Sequence, residues 1–153
     1  MNKRRLLKLA EFLEKLPRKR FNYRRWVGGD WGGAKDLSCG TNACALGWAT
    51  TIPTLRRAGL RLEPYASNAS KTWGGGYVTL AQPTQRFRSL RSYGIGESIA
   101  AGAVAFDLTD VESMFLFSPF SRWSPPVVPH GNATPKQVAR HICKFVERGG
   151  MPE

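Results

Sequence analysis

The segment CGTNACALGWAT, residues 39–50, constrains this chain more than any other stretch. A glycine turn runs into small and apolar residues at helical spacing, so that Cys44, Ala45, Trp48, Ile52 and Leu55 can share one face. Such a face has to be buried. The segment therefore predicts a turn and a helix start that organise a core, with Thr41 or Asn42 as the cap and Cys44 and Trp48 inside. Pro53 interrupts the pattern, which predicts a kink or two shorter helices, and Arg56 and Arg57 precede Gly59 at the expected C-terminal end.

Local signals place further elements around this centre. Leu6, Leu9, Ala10, Leu13 and Leu16 recur at helical spacing, with Lys8, Glu11, Glu14 and Lys15 opposite them, and Pro17 ends the pattern. The alanine-rich stretch Glu97–Phe106 predicts a helix, and Thr109 with Glu112 forms a capping box for another. Thr134, Pro135 and Gln137 open a last helix that buries Val138, Ile142, Phe145 and Val146 before Gly149. Residues 61–76 read as a loop, Gly76–Leu80 as a short strand, and residues 87–93, FRSLRSY, as a second strand or an irregular basic segment. The expected fold is α+β and mainly helical, with four or five helices around one core and a small antiparallel β element near residues 76–93. At 153 residues a single domain is expected, with a basic helix and arm over residues 1–31 and a core over residues 37–148.

Composition excludes several classes. An apolar fraction of 42% with five Trp, eight Phe and four Tyr offsets chain entropy, so wholesale disorder is not expected. No apolar run approaches the ~18 residues of a membrane span, and the stretch after MNKRR is too interrupted by charge for a signal peptide. An amphipathic surface helix at a membrane is disfavoured by Glu11 and Glu14. The odd cysteine count, Cys39, Cys44 and Cys143, argues against a disulfide framework and for a reducing cytoplasm.

Charge is the second strong signal. The 23 basic and 11 acidic residues leave a net +12, concentrated early: residues 1–25 hold ten basic and two acidic groups, whereas residues 96–153 hold five and six. In the arm PRKRFNYRRW, Arg18, Lys19, Arg20, Arg24 and Arg25 interleave with Phe21, Tyr23 and Trp26. Arginine offers bidentate donors to phosphate, and Tyr23, Trp26 or Trp31 could stack on a base. Alternatively, Phe21 and Trp26 anchor the arm to the core while the arginines stay in water. Arg56, Arg57, Arg61, Arg86, Arg88 and Arg91 would extend the basic surface. The loop VGGDWGGAKDLSCG matches neither GxxxxGK[ST] nor GxGxxG, so it is a weak phosphate cradle.

Two other chemistries need the cysteines. A thiol at a helix start can be acidified by the dipole, so Cys44 or Cys39 with His141 or His130 as base would make a cysteine hydrolase. The segment loosely resembles papain-type enzymes, but no upstream glutamine stands where that resemblance implies an oxyanion donor, and no clear Asn or Asp follows either histidine in a telling context. In the plainer reading Cys44 is a small buried hydrophobe. A zinc site from Cys39, Cys44, one histidine and Cys143 lacks tight ligand pairs, and His141 and Cys143 stand about 200° apart on one helix. Neither a metal nor a cofactor is expected.

Taken in order, LAEFLEKLPRKRFNYRRW, CGTNACALGWAT, LTDVESMFLF and TPKQVARHICKFVERG resemble a family of small uncharacterised proteins of phage and bacterial genomes that share a CGTxxCxxGWA core. The resemblance implies architecture and a phage-like setting, with no mechanism. Residues 86–91 and the loop before Gly76 lie outside its pattern. The function expected is a non-enzymatic accessory binding protein in a host cytoplasm, its arginine-rich face engaging a polyanion, nucleic acid or nucleotide, or an acidic host protein. A virion component is a third possibility.

Overall fold

Leucines every third or fourth place make α1, Lys3–Lys15, and bury its Leu6, Leu9, Ala10 and Leu13. Asn2 starts this helix, its Oδ1 accepting from the Arg5 N–H at 3.1 Å, and Leu16 ends it before Pro17. The structure is a computed structural model and describes residues 1–23, 28–29, 37, 41–64, 76–94, 96–118 and 132–151. Among these are seven α-helices, one 3-10 turn at Arg18–Arg20 and two small antiparallel sheets. The architecture is mainly helical α+β, as expected, with more and shorter helices.

The buried side of α1 lies along the C-terminal helix α7, Pro135–Arg148. Thr134 and Gln137 close the capping box, and Gly149 ends the helix at a φ of 81°, a left-handed position that favours glycine. Cys44 precedes α2, Ala45–Ala49, and Pro53 opens α3, Pro53–Arg57, so the proline divides the segment into two short helices. The cap expectation is corrected. Cys44 occupies the N-cap with no side-chain bond, because Thr41 and Asn42 form a strand, β2, paired with β1, Gly28–Gly29.

β3, Leu60–Pro64, and β4, Gly76–Leu80, form an antiparallel pair with Leu60 opposite Leu80 and Leu62 opposite Val78. These four apolar side chains are buried together. The β element thus lies earlier than expected: the start of the assigned loop, residues 61–64, is strand. The segment after β4 is instead the helix α4, Gln85–Ser92, capped by Thr84 Oγ1 accepting from the Phe87 N–H at 3.1 Å, with Phe87 buried.

α5, Glu97–Phe106, joins the layers. Its Ser98 Oγ accepts from the Val78 N–H at 2.9 Å, which covers an edge donor of the sheet. Small residues let α6, Asp110–Phe117, approach closely: a Cβ on Gly102 would lie 3.1 Å from Ser113 Oγ and 3.2 Å from the Leu46 methyls. Side chains from Leu6 to Val146 form one hydrophobic cluster. Among the described residues no helix is long and apolar enough to cross a membrane.

Candidate anion-binding site

The cysteine segment is packed rather than poised. Cys44 is buried, and desolvation pushes its thiol up to about 11 against weaker lowering by backbone bonds at the α2 start. The helix start does not win, so Cys44 is the small buried hydrophobe of the plainer reading and not the acidified thiol of the hydrolase alternative. Trp48 is buried too, its Nε1–H donating to the Arg20 carbonyl at 2.9 Å and its ring 5.9 Å from Phe12. His141 is half-buried against Phe115, 4.8 Å between ring centroids. Burial first, then Lys144 and Arg148, lower its pKa, and its Nε2 is buried with no partner, so it takes no proton from a sulfur. Cys39 and His130 lie outside the described residues. Among the described residues no group of three His, Cys, Asp or Glu side chains could hold a metal ion.

The arm divides in the same way. Tyr23 is buried, 4% exposed beside Phe21, and burial followed by the nearby Cys44 pushes its hydroxyl up to about 12. Its ring is unavailable to a base, which corrects its place among the binding residues. Arg20 lies over the Trp48 ring at 4.5 Å, a cation–π contact at a half-buried site. Arg18 donates to the carbonyls of Phe21 at 2.9 Å and Asn132 at 3.4 Å. Lys19 is exposed. Arg24, Arg25, Trp26 and Trp31 lie outside the described residues.

Further cations are committed at the C-terminal end of α5. Arg5 Nη1 donates to Ala105 O at 2.7 Å, and Arg86 donates to Leu108 O and pairs with Asp107 at 3.0 Å. Both meet carbonyl-rich chain where a helix ends, a site that favours positive charge. The Arg86 guanidinium, then the Met1 ammonium, hold Asp107 below the usual carboxylate range. Arg91 lies over Phe87 and pairs with Glu97 at 3.4 Å, while Arg61 donates to the Arg56 and Leu60 carbonyls. Arg56 and Arg57 are exposed at the end of α3 and Arg88 on α4. Tyr93, 81% exposed just past Arg91, is an aromatic surface that the sequence reading did not single out.

A cleft of about 370 Å³ opens between the N-terminal half of α1 and the short helix α3, lined by Asn2, Arg4, Arg5, Lys8, Thr54, Arg57 and Ala58. Four cationic residues line it, and among the described residues no carboxylate does. Among the described residues Arg4 and Arg57 make no ion pair or hydrogen bond. Lys8 has only a surface pair with Glu11 at 3.0 Å, both half-exposed, a class worth little in water. Thr54 Oγ1 is buried with no partner, a state that costs about 1–3 kcal/mol until something bonds it. Arg4, Arg5 and Lys8 were missed in the sequence because they read as the solvated side of an amphipathic helix. The arrangement can attract and orient an anion. No protein-family model, curated protein or solved structure matches the chain.

Proposed function

We propose that this chain is a non-enzymatic binding protein whose basic face engages a phosphate-bearing polyanion, nucleic acid or nucleotide, in a setting like that of phage accessory proteins acting in a host cell. The observation that carries this reading is the cleft in which Arg4, Arg5, Lys8 and Arg57 converge with no carboxylate among the described residues that line it. Packing does not need such a concentration: like charges repel, and the arrangement gains its value when an anion enters. Arg86 anchors the start of α4 to the same end of α5 as Arg5, so Arg88 is carried on a helix held at that end, while the exposed Tyr93 follows the far end of α4, where Arg91 pairs with Glu97. Cations for the backbone and an aromatic ring for a base are the combination single-stranded nucleic acid uses. A cysteine hydrolase built on Cys44 and His141 has no comparable support, since Cys44 is desolvated and His141 Nε2 has no partner.

The test is a fluorescence-anisotropy titration of labelled single-stranded DNA and RNA across a salt series. Affinity is expected to fall log-linearly with salt, with a slope of roughly −2 to −3 for three to four neutralised phosphates. Absence of affinity for DNA, RNA and nucleotides at low salt would overturn the reading in favour of an acidic protein partner.

A further inference from the structure

We infer that the cleft between α1 and α3 seats a condensed phosphate chain, the di- or triphosphate of a nucleotide or of a nucleic-acid 5′ end, rather than a run of backbone diesters. This rests on the polyanion reading and narrows it. The first reason is charge density. A diester backbone carries one charge per phosphorus, and sugars separate successive phosphates. A triphosphate places three to four charges on adjoining phosphorus atoms. Four cationic side chains around about 370 Å³ match the second distribution, because that volume sits at the low end for small-molecule sites and is not a long groove.

The second reason is the kind of donors present. Arg4 and Arg57 come from opposite walls, α1 and α3, and neither has a partner among the described residues. Two guanidinium forks facing one volume can each take two oxygens of a phosphate, a geometry lysine alone cannot supply. Lys8 adds a point charge once it exchanges its exposed pair with Glu11. Thr54 contributes a hydroxyl that is buried and without a partner although its residue lines the cleft. That hydroxyl meets a phosphate oxygen by turning toward the cleft, and no side chain among the described residues satisfies it where it stands.

The third reason is rigidity. Arg5 is tied to Ala105 O, and the Asn2 N–H donates to Phe106 O at 2.6 Å, so the α1 wall is fixed to α5 before anything binds. A preorganised site loses less on ordering.

The test uses the full chain at about 50 mM salt, where phosphate contacts are strongest. Sodium tripolyphosphate, ATP, AMP and adenosine are titrated by calorimetry, beside an RNA of roughly 12 nucleotides carrying either a 5′-triphosphate or a 5′-hydroxyl. Tripolyphosphate and ATP are expected to bind at least about tenfold tighter than AMP, and adenosine not to bind. Arg57→Gln and Arg4→Gln should each weaken ATP about tenfold, Thr54→Val should weaken it and Thr54→Ser restore it, and Arg88→Gln should leave it within about twofold. A preference for ATP over the 5′-triphosphate RNA identifies the source as free nucleotide, and the reverse preference as a nucleic-acid end. Equal affinity for ATP and AMP overturns the inference, as does ATP binding that both arginine variants leave untouched. If the 5′-hydroxyl RNA binds with a steep salt dependence that the cleft variants do not alter, the inference falls while the polyanion reading stands. If no anion binds, both fall. Circular dichroism of each variant checks that the helices are intact.

Discussion

The turn that opens α2 and the cleft beside α3 are near neighbours along the chain and opposites in chemistry. At the first, Cys44 and Trp48 are nearly dry, a thiol is kept protonated, and an indole N–H is spent on a backbone carbonyl. At the second, a hydroxyl is left without a partner and two guanidinium groups have none among the described residues. The residue types most associated with catalysis serve packing here, while plain helix-surface cations gather beside a hydroxyl whose bonding capacity is unspent. What separates the two regions is which side of a short helix faces the core.

Trp48→Ala breaks the first region most severely. It empties a buried aromatic site, leaves the Arg20 carbonyl without its indole donor and removes the ring under the Arg20 guanidinium. A loss of about 3–5 kcal/mol in chemical denaturation is expected. A loss below about 1 kcal/mol would mean that α2 is not the anchor of the arm.

Alkali sharpens the same contrast at smaller cost. Burial raises Cys44 from 9.0 to about 11, so the folded state holds its proton more tightly than the unfolded chain does. Stability from this group is complete below the unfolded value and is lost as pH rises through the folded one. Between pH of about 9 and about 11 this amounts to about 2–3 kcal/mol. Tyr23, raised from 10.0 to about 12 by burial and then by Cys44, extends the decline. Cys44→Ala should flatten the first part of the curve, measured as denaturation midpoint against pH, and Cys44 should resist alkylation near neutral pH in the folded protein. Fast labelling of Cys44 would return the segment to catalysis.

Legibility in the sequence followed locality. Periodicity and caps lie within a few residues, so α1, α5, α6 and α7 could be read directly, down to the capping boxes at Thr109 and Thr134. β3 was hidden because its alternation offers only Leu60 and Leu62 before Glu63 and Pro64, and its partner begins at Gly76. In α4 three arginines obscured the spacing of Phe87 and Leu90, and the Thr84 cap went unread. The buried fate of Cys44 and Trp48 could be read from the apolar face they share. The cleft could not, since nothing in Arg4 or Arg57 alone says that α3 docks beside the N-terminal half of α1. Convergence of charge is a tertiary property, and the eye goes instead to the denser arm, where Arg18 and Arg20 turn out to be occupied by carbonyls and a ring.

The finest comparison lies inside the cleft, between Arg5 and Arg57. Arg5 is half-buried and bonds Ala105 O at 2.7 Å, so Arg5→Gln should cost about 1–2 kcal/mol through a lost charge-assisted bond at a helix end. Arg57 is exposed and makes no bond or ion pair among the described residues, so Arg57→Gln should leave stability within about 0.5 kcal/mol. Removing one of several crowded cations can even stabilise slightly, because the folded cleft holds them closer than the unfolded chain does. Denaturant titrations of the two variants measure this directly. A cost at Arg57 as large as at Arg5 would show that its guanidinium is already committed within the fold, and a site with no spare charge has nothing to offer an anion.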